Sequence, residues 1–284
     1  YSVVKRRVGD IQKRPESVAK EPQIIKISID ANEQVLYQPQ LIVYKLCDVY
    51  DNERFEMKNI GLDIGTKTIV LAFNDKNDDS IKFISEINGY WPFERSTPFV
   101  KNMLSDPNKV RSDGTSRPAR FIELNGKLIV IGSDAEELAY SNNDSLLRPM
   151  AEGGINQDEE ALTVLASIIH GLLDKCEYEI GTFGKELKIC YCTTAEAINK
   201  DINIAYHERV VNMIISSYNN KTKTKINSGN IKESHAIVLD MDSENQTGIG
   251  ISWGAGTVTV SYVKYGLEIY SFCYVGAGDW IDEQ

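Results

Sequence analysis

The feature that most strongly constrains the fold of this chain is a strand–turn–strand pattern with a turn of small and hydroxyl residues. Its first copy spans residues 59–73 (NIGLDIGTKTIVLAF). The turn holds Gly65, the hydroxyls of Thr66 and Thr68, and one carboxylate, Asp63. A hairpin turn of this kind can point several backbone N–H groups at one spot, which makes an anion-binding nest. A carboxylate beside the nest fits a divalent cation that accompanies the anion, as Mg²⁺ accompanies nucleotide phosphates. Taken alone, the segment fits an ordinary hairpin equally well.

The same plan returns at residues 249–263 (IGISWGAGTVTVSYV), almost two hundred residues later. An apolar strand runs into a small-residue turn that ends in Gly-Thr, and an alternating strand follows. Gly254, Gly256 and Thr257 would form this second loop. Two loops that can each cradle phosphate predict two related half-domains that clamp one nucleotide.

Four short sequence blocks along the chain are recognisable. They are GLDIGT at 61–66, LRPMAEGGI at 147–155, ESHA at 233–236, and WGAGT at 253–257 with VGAGDWID at 275–282 behind it. In this order they resemble four parts of the sugar kinase, heat-shock chaperone and actin superfamily. These parts are the first phosphate loop, a segment that leads into a long helix, a glutamate-led segment that positions the attacking water, and the second phosphate loop with the glycine-rich turn after it. The Arg-Pro-Met block resembles the bacterial actin MreB in particular.

This resemblance implies an α/β fold of the ribonuclease-H-like, actin-type ATPase class, with one full lobe and the first strands of a second lobe. It implies ATP and Mg²⁺ as cofactors. Asp63 would hold the metal, and both Asp63 and Glu233 would be catalytic, with Glu233 orienting or deprotonating the attacking water. Lys67 could contact a phosphate or simply face solvent. The implied cofactor-binding residues are Gly65, Thr66, Lys67, Thr68, Gly254, Ala255, Gly256 and Thr257.

One residue departs from the family pattern. The second phosphate loop of the family carries an aspartate where this chain has Ser252. Since that aspartate helps to place the metal and the water, a neutral hydroxyl there would leave nucleotide binding possible but make hydrolysis slow or absent.

The chain is expected to divide into a basic arm with a small β extension (1–57), a first actin-like lobe (58–245) and an incomplete second lobe (246–284). The chain is expected to be either a fragment or a reduced form of the fold, and a fragment is favoured because Tyr1 and Gln284 do not resemble natural termini. Residues 85–118 are interpreted as a long loop or an insertion, and Ser133 as the N-cap of a helix. The other predicted elements are a hairpin at 121–131 turning at Asn125-Gly126, helices at 158–174 and 195–218, and strands at 187–192, 248–253, 258–263 and 267–274.

Composition indicates a cytoplasmic protein. No apolar run approaches twenty residues, nothing resembles a secretory signal, and the five cysteines have no framework spacing. The net charge is −10, although residues 1–20 hold six basic and two acidic residues. The acidic body makes nucleic acid an unexpected partner. The basic arm could contact nucleic acid, an anionic membrane or an acidic neighbouring subunit, or it could be a solvated tail.

Three functions remain open on this evidence. The first is an MreB-type ATPase that self-associates into cytoskeletal filaments. The second is a chaperone-like ATPase of the heat-shock class, and the third is a scaffold member of the superfamily that does not hydrolyse ATP. The Arg-Pro-Met block favours the first, and Ser252 favours the third.

Overall fold

The structure, a computed structural model, describes residues 58–75, 80–93, 97–111, 114–184, 186–222, 224–241 and 245–282. The arm and the small β extension expected over residues 1–57 lie outside this part of the chain. The described strands are β1 (Lys58–Ile64), β2 (Thr68–Asn74), β3 (Ile81–Ile87), β4 (Tyr90–Phe93), β5 (Phe121–Leu124), β6 (Lys127–Ile131), β7 (Met150–Ala151), β8 (Gly154–Ile155), β9 (Glu186–Thr193), β10 (Lys225–Lys232), β11 (Gly248–Trp253), β12 (Thr257–Lys264) and β13 (Leu267–Val275). The described helices are α1 (Pro98–Leu104), α2 (Ser133–Ser141), α3 (Glu159–Ile180), α4 (Ile204–Thr222), α5 (Glu233–Met241) and α6 (Gly278–Asp282).

A five-stranded sheet in the order β10-β9-β1-β2-β3 is the centre of the fold. Strands β1, β2 and β3 form an antiparallel meander, whereas β9 pairs in parallel with β1 and β10 in parallel with β9. Parallel neighbours need a crossover connection, and α4 supplies the one between β9 and β10. This strand order and these directions are those of a ribonuclease-H-like lobe. The predicted fold class is therefore confirmed.

Helix α3 covers one face of this sheet. Asp158 caps it by accepting a hydrogen bond from the Ala161 N–H at 2.8 Å, and the helix runs to Ile180. The predicted helix at 158–174 is thus confirmed and is longer than expected. Its buried stripe packs with β1 and β2 in one apolar core. The stripe consists of Val164, Leu165, Ile168, Ile169, Leu172 and Leu173.

A smaller sheet, β4-β6-β5, lies with α1 and α2 beside the main sheet. Its predicted hairpin is confirmed, with φ of 52° at Asn125 and 77° at Gly126. The prediction of one long loop over 85–118 is wrong, because β4 pairs with β6 and Thr97 caps α1. The alternative, an insertion, stays a prediction. The Ser133 cap is also wrong, since Gly132 holds that position and the Ser133 N–H donates to Glu86. The helix expected at 195–218 begins only at residue 204.

The antiparallel meander β11-β12-β13 confirms the three strands predicted near the end of the chain. Helix α5 packs against β11 and β12. Across the part of the chain that the structure describes, no helix is long and apolar enough to cross a membrane.

Candidate functional site

The carboxyl ends of β1 and β10 bring Asp63 and Glu233 to the same edge of the main sheet. Asp63 is the penultimate residue of β1, and Glu233 directly follows β10 and begins α5. Strand β9 lies between them and places Cys192 there. Ligands of parallel α/β sheets bind outside the carboxyl ends of the strands. The structure therefore brings the two predicted catalytic residues together where such a ligand would bind.

Burial perturbs both carboxyl groups. Asp63 is buried and Glu233 is partly buried. Loss of hydration raises the pKa of Asp63 well above its usual value, and the negative charge of Glu233 raises it further. Burial also raises the pKa of Glu233, which the Ser252 hydroxyl opposes by donating a hydrogen bond of 2.9 Å to it. Two acids held in this way favour a cation between or beside them.

An unsatisfied acceptor supports the same conclusion. Among the described residues, Asp63 Oδ1 is buried without a hydrogen-bond partner, and such atoms are rare in native proteins. Within the same residues, no three or more His, Cys, Asp or Glu side chains are placed so that they could hold a metal ion by themselves. Mg²⁺ is usually held by one or two carboxylates together with phosphate oxygens and water. Asp63, with Glu233 nearby, fits that donor set.

Hydrogen bonds from Asn88 hold two carbonyl groups of the first turn on the side of the turn that faces Asn88. The Gly65 N–H donates to the Thr68 carbonyl at 3.1 Å. The Gly65 and Lys67 carbonyls accept hydrogen bonds from Asn88, from its side-chain amide at 2.8 Å and its backbone N–H at 2.9 Å. Because a planar peptide places its N–H opposite its C=O, the N–H groups of Thr66 and Thr68 point away from Asn88. The Lys67 side chain is exposed.

The second turn is built in the same way. The Gly254 N–H donates to the Thr257 carbonyl at 2.9 Å. The carbonyls of Gly254, Ala255 and Gly256 accept hydrogen bonds of 2.9–3.2 Å from backbone N–H groups within residues 276–279. The N–H groups of Ala255, Gly256 and Thr257 consequently point away from that segment. In both turns the N–H groups therefore lie on the side opposite the hydrogen-bonded carbonyl groups, an arrangement that an anion-binding nest requires.

The two turns meet at Gly256. A Cβ atom at this glycine would lie 2.9 Å from Thr66 Oγ1 and 3.1 Å from the Glu152 Cα atom, so a larger residue would not fit. Glu152 and Gly153 form the tight turn between β7 and β8, with φ of 52° and 78°. A Cβ atom at Gly153 would lie 2.6 Å from the Thr257 methyl group. Three turns therefore converge, and the structure brings Thr66 of the first hairpin next to Gly256 of the second.

The two hairpins also match in strand register. In the first hairpin, Asp63 pairs with Val70. Asp63 lies two residues before Gly65, whose N–H donates to the Thr68 carbonyl. In the second hairpin, Ser252 pairs with Thr259. Ser252 likewise lies two residues before Gly254, whose N–H donates to the Thr257 carbonyl. Ser252 therefore occupies the position in the second hairpin that Asp63 occupies in the first.

Sequence reasoning missed three contributors to the site. Asn88 follows a strand without any recognisable motif, so nothing indicated its contact with the first turn. The Glu152-Gly153 turn lies inside a block that had been recognised, but its contact with Gly256 is a tertiary property. The Arg148 guanidinium pairs with the Asp279 carboxylate at 2.6 Å and so joins two of the recognised blocks.

Comparison with known proteins gives one family. The family model named Volactin matches residues 57–284. No curated protein sequence matches significantly.

Similar solved structures include a MamK double helical filament (13% identity, 80% of this chain and 57% of that chain, TM-score 0.49). They also include MreB5 of Spiroplasma citri bound to ADP (14% identity, 80% of this chain and 55% of that chain, TM-score 0.49). A third is the AlfA filament from B. subtilis plasmid pLS32 (12% identity, 79% of this chain and 74% of that chain, TM-score 0.48). The chain thus spans little more than half the length of MamK and MreB5. Since the family model matches well over half of the chain, the chain belongs to the volactin family.

Proposed function

We propose that this protein is an actin-like, MreB-type ATPase that binds Mg-ATP between its two hairpin turns and assembles into cytoskeletal filaments. The observation that carries the nucleotide site is the convergence of two matching turns, whose N–H groups are turned away from fixed carbonyls, beside the unsatisfied Asp63 carboxyl. Filament assembly rests on the resemblance of the Arg-Pro-Met block and the blocks around it to bacterial actins.

The residues have distinct roles in this proposal. The N–H groups of the first turn (Gly65–Thr68) and the second turn (Gly254–Thr257) bind the β- and γ-phosphates. Asp63 holds the Mg²⁺, which neutralises phosphate charge when bound. Glu233 accepts a hydrogen bond from the attacking water and orients it, because phosphoryl transfer depends on in-line positioning more than on covalent help.

Ser252 favours a second candidate, a scaffold that binds nucleotide but hydrolyses it slowly. Its hydroxyl occupies the position equivalent to Asp63 and is already engaged with Glu233. The second hairpin therefore offers no carboxylate at that position to help place the metal.

The decisive experiment measures ATP binding, phosphate release and sedimentation of the full-length protein in parallel, with and without Mg²⁺. Nucleotide-dependent sedimentation coupled to phosphate release is the result expected of an ATPase that forms filaments. Glu233→Gln should keep nucleotide binding and lose phosphate release, whereas Asp63→Asn should lose the Mg²⁺ dependence of binding. Binding without turnover would select the scaffold, and absence of binding would overturn the nucleotide site.

A further inference from the structure

Asn88 is a completely buried polar residue that directly follows β3 and contacts the first turn. The residue is 0% exposed. Its Nδ2 atom donates to the Gly65 carbonyl at 2.8 Å, whereas its Oδ1 atom has no hydrogen-bond partner among the described residues. Burial of an unpaired polar atom is costly, and an apolar side chain of the same size would avoid that cost. The bond to the Gly65 carbonyl is therefore what the asparagine side chain supplies here.

The second hairpin has an equivalent of Asn88, and it is a glycine, Gly276. In each sheet, the threonine that follows the turn pairs with the last residue of the third strand, Thr68 with Ile87 and Thr257 with Val275. Asn88 and Gly276 come directly after those last residues. The backbone N–H of each donates to the third carbonyl group of its turn, at 2.9 Å and 3.1 Å. The two positions thus correspond in register and in backbone hydrogen bonding.

The two turns differ in the donor that holds their first carbonyl group. In the second turn, the backbone at Gly276 has a φ of 110°, a conformation that favours glycine. The chain beyond it brings the Gly278 N–H to the Gly254 carbonyl at 3.2 Å. In the first turn, the equivalent carbonyl of Gly65 accepts its hydrogen bond from the Asn88 side-chain amide. Asn88 therefore supplies with its side chain the donor that the second turn receives from the backbone.

Neighbouring segments fix the backbone on the far side of Asn88. The Gly89 carbonyl accepts a hydrogen bond of 2.8 Å from the Gly132 N–H. Tyr90 exchanges two backbone hydrogen bonds with Leu147, at 2.8 Å and 3.0 Å. Because its own backbone is held in this way, the Asn88 side chain can hold the Gly65 carbonyl in one orientation.

The orientation of this carbonyl decides what the first turn presents to a ligand. The Gly65 carbonyl and the Thr66 N–H belong to one planar peptide and point in opposite directions. While Asn88 holds the carbonyl, the Thr66 N–H faces the other side of the turn. If the peptide turned over, the negative end of its dipole would lie on the side of the N–H groups and would repel an anion. Glycine at position 65 has no Cβ atom to restrict the backbone, so the hydrogen bond selects the orientation.

We propose that Asn88 is a positioning residue for nucleotide binding, whose side-chain amide orients the Gly65–Thr66 peptide so that the Thr66 N–H faces a phosphate group. Asn88 lies on the carbonyl side of the turn and acts through the turn. The inference rests on the proposed function and adds to it a residue outside both recognised phosphate loops.

The test compares Asn88→Leu with wild type in Mg-ATP binding and in amide NMR spectra of the full-length protein. Leucine has nearly the shape of asparagine but no donor, so the affinity should fall by about tenfold to a hundredfold. At saturating Mg-ATP the Thr66 amide resonance should move in wild type and stay in place in the variant, whereas the Gly256 resonance should move in both. Asn59→Leu is the matched control, because Asn59 lies near the start of β1 and its buried Oδ1 atom also lacks a partner within the described part of the chain. It should change neither result.

Asn88→Asp is a second variant that keeps the size of the side chain. Its carboxylate cannot donate and would repel the Gly65 carbonyl, so it should lose at least as much affinity as Asn88→Leu. Unchanged Mg-ATP affinity in both variants would overturn the inference. A Thr66 resonance that still moves at saturation would also overturn it, since Asn88 would then serve stability alone. A wild-type protein in which neither turn responds to Mg-ATP is a different result, because it overturns the nucleotide site itself and this inference with it.

Discussion

Ser252 donates a 2.9 Å hydrogen bond to Glu233 from the position that corresponds to Asp63 in the first hairpin. The site therefore contains the buried Asp63, the partly buried Glu233 and one hydroxyl donor. The donor stabilises the ionised form of Glu233 against the effect of burial, so it keeps this side chain able to accept a hydrogen bond from water. A serine at this position thus stabilises the ionised form of Glu233, but it supplies no carboxylate that could bind a metal.

Ser252→Asp tests this interpretation. A third carboxyl group in the buried site would repel Asp63 and Glu233, so we expect the protein without nucleotide to lose about 1–3 kcal/mol of stability. Mg-ATP should recover the loss, because the cation neutralises the added charge. Thermal unfolding with and without Mg-ATP measures both effects.

Ser252→Ala is the control for that change. It removes the hydrogen bond without adding charge, and the expected cost is about 1 kcal/mol with or without Mg-ATP. If Ser252→Asp and Ser252→Ala responded equally to Mg-ATP, Ser252 would not lie beside the metal.

Asp63→Asn should stabilise the protein in the absence of ligand. Because the pKa of Asp63 is raised in the folded state, the folded protein holds a proton that the unfolded chain releases above about pH 4, so stability falls as the pH rises through that range. At pH 7 the asparagine variant avoids this penalty, and each kcal/mol recovered raises Tm by about 2–4 °C. The gain should shrink as the pH approaches 4, because the unfolded wild-type chain then also carries the proton.

The exposed Asp144 provides the comparison for Asp63. Its pKa is lowered by the hydrogen bond from the Trp91 indole, so Asp144→Asn has no burial penalty to remove and should not raise Tm. A Tm for Asp63→Asn below that of wild type at pH 7 would show that the Asp63 carboxyl is paired.

Local patterns were enough to predict the two hairpins and helix α3. Their signals lie within a few residues of one another, namely alternation around a small-residue turn and a repeating apolar stripe above an aspartate cap. Strand β10 (KINSGNIK) is different, because only partly buried or exposed residues occupy it. All eight of its residues pair with β9, so this strand exists because of a neighbour that is distant in sequence.

The site divides in the same way. Asp63 and Glu233 could be named from their blocks, and the structure places both at one sheet edge. The contacts of Asn88 with the first turn, and of Gly256 with Thr66 and Glu152, depend on how separate segments meet in space. No spacing along the chain encodes them.

Gly250→Ala should separate the second sheet from α5. The added methyl group would lie 1.8 Å from the Ser234 carbonyl oxygen, and we expect a loss of about 3 kcal/mol, measured by urea unfolding. Gly171→Ala is the matched change in the middle of α3, because no atom outside the local helix backbone and the adjacent residues lies within 4 Å of its added methyl group. It should stabilise the protein by about 0.5–1 kcal/mol. Equal effects at the two glycines would contradict the close approach at Gly250.

His207 should make the protein sensitive to mild acid. It is buried on α4 close to Gly153, and burial lowers its pKa to about 4 from 6.5. The unfolded chain therefore takes up a proton below pH 6.5 that the folded protein accepts only near pH 4. Stability should fall as the pH drops through this window, by on the order of 3 kcal/mol in total, and stay level above it. Glutamine does not titrate in this range. Urea unfolding of His207→Gln between pH 4 and 7.5 should therefore lack the loss of stability that comes from His207. Since other acids titrate equally in both proteins, the difference isolates His207, and parallel curves would show that the ring is protonated in the folded protein.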